Sequence, residues 1–341
     1  MIVLAIMIIV NQREWDNHMG SSYVPPKPKL LSRQYKKMKP LYSKLIDEII
    51  HILNESLDEK NLKISGMEGR IKDINSIYQK AIKNEITGNV FEKINDIAGI
   101  RIICLYRSDL RILEEIIRSK LDVIDAKIIH NRTDFTFGYM SDHYTVRIPS
   151  SFSEERYDSI KKLKCEIQVR TIAMHVWATI SHDLDYKQEV DIPSHLKNDF
   201  YALSGIVYVA DSLFEQFRNA RQESIGKLLR NIKEDKFNLK DEMNLDTLRA
   251  FLHWKFPDRA TDEPFAVSQL LYTLAREKIN NFKELNRLID ENVQWLIDKE
   301  NSQPKSSLIT AEGKVQLVPF KYTALGVMRV ILIEKMRIGV F

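Results

Sequence analysis

The seven residues from Lys164 to Arg170 constrain the fold more than any other stretch of this chain. Cys165, Ile167 and Val169 alternate with Glu166, Gln168 and Arg170. A period of two is that of a strand with one buried face. The opposite face carries an acid, an amide and a guanidinium, about 7 Å apart along the strand. Such a row suits the floor of a site for a charged ligand. Directly after it the pattern turns helical. From Thr171 to His182, Met174, Trp177, Ala178 and Ser181 share one face.

A second strand repeats the arrangement. Tyr144, Val146 and Ile148 alternate with His143, Thr145 and Arg147, again one apolar and one polar face. Two such strands side by side would make a polar wall. Asp96 stands as a loop acid before an apolar run to Tyr106, which reads as a buried strand. A helix from Asp109 to Leu121 and a strand from Val123 to Ile129 follow.

Upstream, residues 63–65 read as a short strand, and Gly66-Met-Glu-Gly69 comes next. A helix is predicted from Arg70, with Ile71, Ile74, Ile77, Tyr78 and Ala81 as its apolar stripe. Lys72, Ser76 and Lys80 fall at i, i+4 and i+8 and form a second, cationic stripe. Arg70 would sit at the helix start, where the dipole and free backbone N–H groups favour anions. Spacing alone fits a solvated basic face as readily as an anion site. No Gly-Lys-Ser/Thr follows the glycines, so this is not a Walker loop.

The 341 residues suffice for a main domain and a second module. Residues 1–34, with Pro25, Pro26 and Pro28, read as a tail and linker, and a helix is expected from Gln34 to Leu57. A long helix should start near Leu196, with Phe200, Leu203, Val207, Phe214 and Phe217 on its apolar face. Residues 226–341 read as an all-α packing or oligomerisation region. Asn244 or Asp246 would cap one helix there and Asp262 another. Trp295 marks the apolar side of a third. Residues 301–313 read as a polar loop, and Thr323 to Arg337 as a last helix.

A net charge of +4 is too small for a general nucleic-acid binder but allows one phosphate-binding cleft. Cys104 and Cys165 sit in apolar runs, as buried reduced thiols do, and form neither a disulfide framework nor zinc spacing. His175 and His182 lie about 10 Å apart along a helix, too far to share a metal. The His182–Asp183 pair has no supporting cluster of the kind a metal-dependent phosphohydrolase needs. The apolar run Met1 to Val10 is too short for a bilayer, which takes roughly 20 residues. It has no basic flank before it and no cleavage site close behind. Met19 is an alternative start. A cytoplasmic protein with no membrane contact is expected.

Together these parts suggest a magnesium–nucleotide site. Phosphoryl chemistry needs cations for phosphates, oxygen ligands for a hard metal and a base for the attacking hydroxyl. Asp96 and Glu166 can supply carboxylates, and Arg70, Lys72 and Lys80 positive charge. Tyr139 after Gly138 can offer a stacking face, since a glycine lets the ring's neighbour approach a ligand closely.

At this point the chain resembles a known family. Arg70, Lys72, Ser76 and Lys80 come first, then Asp96 with Gly99 to Arg101. Gly138-Tyr-x-Ser-x-His143, Glu166 to Thr171 with Met174 and Trp177, and His182 to Lys187 follow. These five blocks stand in the order seen in the synthetase domain of the RelA/SpoT family. The resemblance covers about residues 40–220.

The resemblance implies an α+β fold: a mixed sheet of about five strands flanked by helices, in a synthetase domain over 35–225. It implies an enzyme that moves the β,γ-pyrophosphate of ATP onto the 3′ hydroxyl of GDP or GTP, with Mg2+ as cofactor. Arg70 and Arg101 would flank the adenine, and Lys72, Ser76 and Lys80 would hold the ATP phosphates. Asp96 would bind the metal. Glu166 would bind it, activate the hydroxyl, or do both. Tyr139 would stack on guanine, and His143, Gln168 and Ala178 would line the acceptor pocket.

Two departures bear on the acceptor. Phe135 and Phe137 precede the Gly-Tyr pair and Met140 follows it, where many relatives carry cations; Arg132 would compensate from nearby. A relative that pyrophosphorylates the tRNA 3′ end is the first alternative, and a non-catalytic nucleotide sensor the second. About 70 residues precede Arg70, too few for the hydrolase domain of the large bifunctional relatives. Residues 226–341 would be an extension, through which the chain could form a homo-oligomer.

Overall fold

A computed structural model describes residues 23–128, 141–184, 192–234, 236–260, 263–309 and 315–338. The chain divides into two compact units after Gln216. Among the described residues no helix is long and apolar enough to cross a membrane.

The first unit is an α+β fold built on one five-stranded mixed sheet. Helix α1 (Pro28–Glu59) leads in. Its first residue is a proline, earlier than the expected Gln34, because proline at the first helical position sacrifices no hydrogen bond and has a helical φ already. Strand β1 (Ile64–Ile71) follows, then α2 (Ile74–Lys83), the single turn α3 (Val90–Lys93) and β2 (Ala98–Cys104). Helix α4 (Arg107–Lys120), β3 (Asp122–Lys127), β4 (Asp142–Arg147), the turn α5 (Glu155–Asp158) and β5 (Cys165–Thr171) complete the sheet. Its spatial order is β1-β2-β5-β4-β3. Only β2 and β5 run parallel; the other neighbours are antiparallel.

Period-two patterning decides which face is which. Along β2 and β5 every second residue is fully buried, and Ile100, Ile102, Ile167 and Val169 are at most 1 % exposed. This face packs on α1 through Tyr42, Leu45 and Ile49 and on α4 through Leu113 and Ile117, in one core. The two cysteines lie in it, free and buried, and burial pushes both thiols up. The opposite face of the same strands is only half-buried and polar.

Arg70 corrects the expected helix start. The expected short strand does not end at Ser65 but runs from Ile64 to Ile71. Gly66 and Gly69 both lie inside β1, which pairs with β2 as far as Ile71 against Ala98. Helix α2 begins after Asp73, whose carboxylate accepts from the backbone N–H groups of Asn75 and Ser76 at 2.9 Å each. That cap fixes the boundary. Gly69 is there for packing. A Cβ at that position would lie 2.2 Å from Ile46 Cγ2 of α1.

After β5, Thr171 caps helix α6 (Ile172–Asp183) by accepting from the Met174 N–H. A 3-10 turn (Ser194–Leu196) leads to α7 (Lys197–Lys233). Trp177 of α6 packs on Phe200 at 4.5 Å between ring centroids, with Ile192 beside them. The expected apolar face of α7 is only partly used: Phe200 is buried and Val207 half-buried. Leu203, Phe214 and Phe217 stand exposed.

The second unit is helical. It holds α8 (Leu245–Lys255), α9 (Pro264–Arg276), α10 (Phe282–Asn301) and α11 (Ala324–Ile338). Asn244 caps α8, accepting from Asp246 and Thr247. The expected cap Asp262 lies outside the described residues; Glu263 stands at the cap position of α9, with Pro264 first in the helix. Phe251, Phe282, Leu285 and Met328 centre a separate core, and Trp295 packs against it. Within the expected polar loop 301–313 the chain instead begins a short antiparallel pair, β6 (Ser306–Ile309) with β7 (Val315–Val318).

The two glycines of β1 give opposite expectations. Gly69→Ala drives a methyl into a β-branched side chain buried under α1 and should cost about 1–3 kcal/mol. Gly66→Ala meets nothing within 4 Å and should stay within about 0.5 kcal/mol of the parent. Urea midpoints of the two variants, read from a probe confined to the first unit, test this; equal midpoints would remove the packing role of Gly69.

Candidate active site

Strand register assembles the polar face. Directly paired residues point to the same side of a sheet, so two rungs can be read across four strands. One rung is Glu68, Arg101, Gln168 and His143. The next is Arg70, Gly99, Glu166 and Thr145. Gly99 leaves room there, and the Arg70 side chain lies over it. Glu68, Arg70, Asp96, Arg101, Glu166 and Gln168 line one small cleft on this face.

Hydrogen bonds run along β5 itself. Arg170 Nη2 donates to Gln168 Oε1 at 3.0 Å, and Gln168 Nε2 donates to Glu166 Oε2 at 2.7 Å. His143 Nδ1 lies 3.4 Å from Glu166 Oε1, and its Nε2 is 2.7 Å from Ser141 Oγ. Burial alone would raise the Glu166 carboxyl. The hydrogen bonding of His143 and Gln168 and the charge of His143 more than reverse that, although Asp96 opposes them, and the carboxyl ends below its ordinary value.

Asp96 sits just before β2, where the Lys72 N–H donates to the Ile97 carbonyl at 2.8 Å and ties the two segments together. Both lysines of the cationic stripe converge on it. Lys72 Nζ bonds Asp96 Oδ2, and Lys80 Nζ lies 2.9 Å from the same oxygen. Burial raises this carboxyl too; the two lysines pull it back below its ordinary value. The other oxygen, Oδ1, is buried with no hydrogen-bond partner among the described residues.

The cations are under-satisfied in the same way. Arg101 pairs with Glu68 at 2.8 Å, yet its Nε is buried without a partner among the described residues, as are Arg170 Nε and His175 Nδ1. Burial, with Arg101 and Arg70 nearby, lowers Arg170 to about 10. Burial and the same kind of neighbours, Arg101 and Arg170, also lower His175. Orphaned donors on one side and an orphaned carboxylate oxygen on the other are what a bound anion and a hard cation would satisfy. Two carboxylates suit a divalent ion that takes its remaining oxygens from phosphates and water. Among the described residues no three His, Cys, Asp or Glu side chains are grouped to hold a metal by themselves.

Of the residues singled out in the sequence, Arg70, Arg101, Asp96, Glu166 and Gln168 meet in the cleft, with Lys72, Lys80 and His143 in contact with its carboxylates. Ser76 is on α2, but its hydroxyl donates to the cap residue Asp73. Ala178 is half-buried on α6. Tyr139, with Gly138 and the segment Phe135 to Met140, lies outside the described residues. Sequence reasoning missed Glu68, Ser141 and His175 and, beyond its place in the polar row, gave Arg170 no individual role. Extending the period-two reading through Gly66 and Gly69 would have found Glu68 and placed Arg70 on a strand.

Comparison with known proteins matches the same part of the chain. Residues 69–191 match a family described as "Region found in RelA / SpoT proteins". GTP pyrophosphokinase YjbM of Bacillus subtilis is 30% identical over 211 residues, covering 59% of this chain and 96% of that protein. GTP pyrophosphokinase YwaC of the same organism is 32% identical over 152 residues, covering 43% of this chain and 70% of that protein. A solved structure of small alarmone synthetase 1 from Bacillus subtilis has a TM-score of 0.47 and 30% identity, covering 56% of this chain and 98% of its own.

The lysine clamp makes a titration prediction. In the folded chain Asp96 lies below its ordinary 3.8, so it contributes stability that is full above the unfolded value. That contribution is lost as pH falls through the lower folded value. The stability gap between the parent and Asp96→Asn should therefore narrow on acidification from pH 7 toward pH 3. Lys72→Met should raise the Asp96 pKa in a carboxyl-carbon NMR titration. A gap that widens in acid, or an unmoved pKa, would contradict the clamp.

Proposed function

The chain belongs to the RelA/SpoT family, and from that premise we propose that it is an alarmone synthetase, a GTP pyrophosphokinase. Its reaction moves pyrophosphate from ATP to the 3′ hydroxyl of GDP or GTP. The bond from the acceptor oxygen to the β-phosphorus forms, the bond from that phosphorus to the α-phosphate oxygen breaks, and AMP leaves. The names of the two curated relatives support this reading. One observation carries it: Asp96 and Glu166 share a cleft with Arg70, Arg101 and Gln168, and orphaned polar atoms of both signs remain around it.

Arg70 and Arg101, on neighbouring strands, would hold the ATP base between them. Lys72 and Lys80 would turn from Asp96 to the phosphates, and Ser76 would turn its hydroxyl from Asp73 to them at the start of α2. Asp96 and Glu166 would hold Mg2+, which when bound neutralises phosphate charge. Glu166, ionised at neutral pH, would also take the proton of the 3′ hydroxyl. His143 and Gln168 fix that carboxylate and, with Ala178 and Tyr139, would form the acceptor side. A cytoplasmic location, where both nucleotides are found, is part of the same proposal.

Incubation with ATP, magnesium and GDP, GTP or deacylated tRNA, followed by product separation, tests the reading. AMP release with GDP or GTP is expected. Release with tRNA alone would transfer the acceptor assignment to the tRNA 3′ end, as the Phe135, Phe137 and Met140 departures allow. No release with any acceptor would leave a nucleotide sensor. Glu166→Gln should lower turnover by about 10²–10⁴-fold with ATP affinity nearly unchanged; full activity would refute its role.

Self-association, expected from residues 226–341, has a second candidate surface in α7. Ile206 is 64% exposed and Leu213 and Phe214 are each 55% exposed. Apolar side chains clustered this way are usual at interfaces. Light scattering should give a mass above one chain for the parent and a lower mass for Ile206→Asp with Leu213→Asp. An unchanged mass in the variant would clear α7 of the role.

A further inference from the structure

The second unit contains a cavity of about 300 Å³ that the proposed reaction does not use. That volume is at the lower end of small-molecule sites, which run from about 300 to 1,000 Å³. Its walls come from the last turns of α7 at Leu228 and Leu229, from one face of α8, and from Val267 of α9 and Ala324 of α11. The lining is mostly apolar, so water inside would find few partners.

The rim is charged, and its charges are not balanced. Asp246, Arg249, Ala250 and His253 fall at i, i+3, i+4 and i+7 on α8, so a single helix face supplies both floor and rim. The Asp246 carboxylate is consumed by Arg221, whose Nε and Nη2 each donate to it at 2.8 Å. Arg259 is consumed as well. It forks onto Glu300 at 2.5 and 3.1 Å and donates to the Tyr322 carbonyl at 2.8 Å. That leaves Arg249, which makes no hydrogen bond or ion pair among the described residues although it is near enough to Asp246 to help lower that carboxyl. His253 stands one turn further on, exposed at the cavity mouth. The uncompensated charge at the opening is therefore positive.

We propose that this cavity binds a small amphiphilic anion, with an apolar body of about ten carbons or fewer against Leu228 and Val267 and its carboxylate paired with Arg249. An apolar floor rewards burial of the hydrocarbon, and a guanidinium with free donors rewards a carboxylate over an amine or alcohol. The site is independent of the synthetase reading, since none of its residues belongs to the cleft on the sheet.

The test uses the full chain and three probes with one hydrocarbon body: octanoate, octan-1-ol and octylammonium. Calorimetric titration should give saturable 1:1 binding of octanoate, with Kd on the order of 10–1,000 µM for a ligand of this size. Methyl NMR shifts should centre on Leu228 and Val267. Octylammonium should bind at least about tenfold more weakly than octanoate. Arg249→Glu, at an exposed position without an ion pair, should weaken octanoate at least about tenfold while leaving the melting temperature in place. Three outcomes overturn the proposal: no saturable octanoate binding up to about 5 mM, equal affinity for the three head groups, or unchanged affinity in Arg249→Glu.

Discussion

The parallel pairing of β2 with β5 sets everything else in the first unit. Ile100 and Ile102 on one strand and Ile167 and Val169 on the other must be buried against α1 and α4. A slip of one residue would turn all four toward solvent and bury Arg101, Glu166 and Gln168 instead. Four fully buried aliphatic side chains contribute about 1.5–3 kcal/mol each, so the register is strongly fixed. The polar face is thereby placed without any preference of its own. Arg101 lands beside Gln168 and Gly99 beside Glu166 because the isoleucines behind them have nowhere else to go. A site on strands in such a sheet is rigid, which suits groups that must hold phosphates and a proton acceptor in fixed relation.

The charges on that face are arranged at a cost. Arg101 and Arg70 help to lower Arg170, and Arg101 and Arg170 help to lower His175, while the nearby Glu68 is taken up by Arg101. On the other flank Asp96 is gripped by two lysines. Each half is thus incomplete in the opposite sense: one has donors without acceptors, the other a carboxylate oxygen with no donor. A ligand carrying several phosphates and a divalent ion would complete both at once. The lysines need not be recruited from solvent for this. They are already on the spot, held by Asp96 with one positive charge left over, and an entering phosphate only has to compete with that carboxylate.

Some of this was legible in the sequence. The alternation from Cys165 to Arg170 and from His143 to Arg147 yields both polar strands directly, because period two is a local property. Asp96 was legible as an acid before a strand, though its two lysine partners come from segments that tertiary packing brings in. Arg70 was misplaced onto a helix because isoleucines at 71, 74 and 77 mimic a helical stripe. What stops the helix short of Arg70 is the Asp73 cap together with β2 as a pairing partner, and the second is a long-range fact. The early start of α1 at Pro28 could have been read from proline's preference for the first turn. The exposure of Leu203 and Phe214 could not, since a helix pattern reveals an apolar face but not whether the chain covers it. His143 and Ala178 were assigned from the resemblance, and of these two His143 is placed against a proposed catalytic side chain.

The second core alters how the stability of this chain must be measured. Leu248, Phe251, Phe282 and Met328 belong to a cluster that shares no residue with the one under the sheet. Two cores with separate membership need not melt together, and a single midpoint then has no defined meaning. The tryptophans fall on both sides of the division. Trp177 packs on Phe200 in the first unit, while Trp254 stacks on Phe237 at 5.6 Å and Trp295 lines the core in the second. Their emission blends the two transitions. A substitution under β1 and a ligand in the cavity on α8 act on different cores, so each must be followed by a probe confined to its own unit before a shift is ascribed to it.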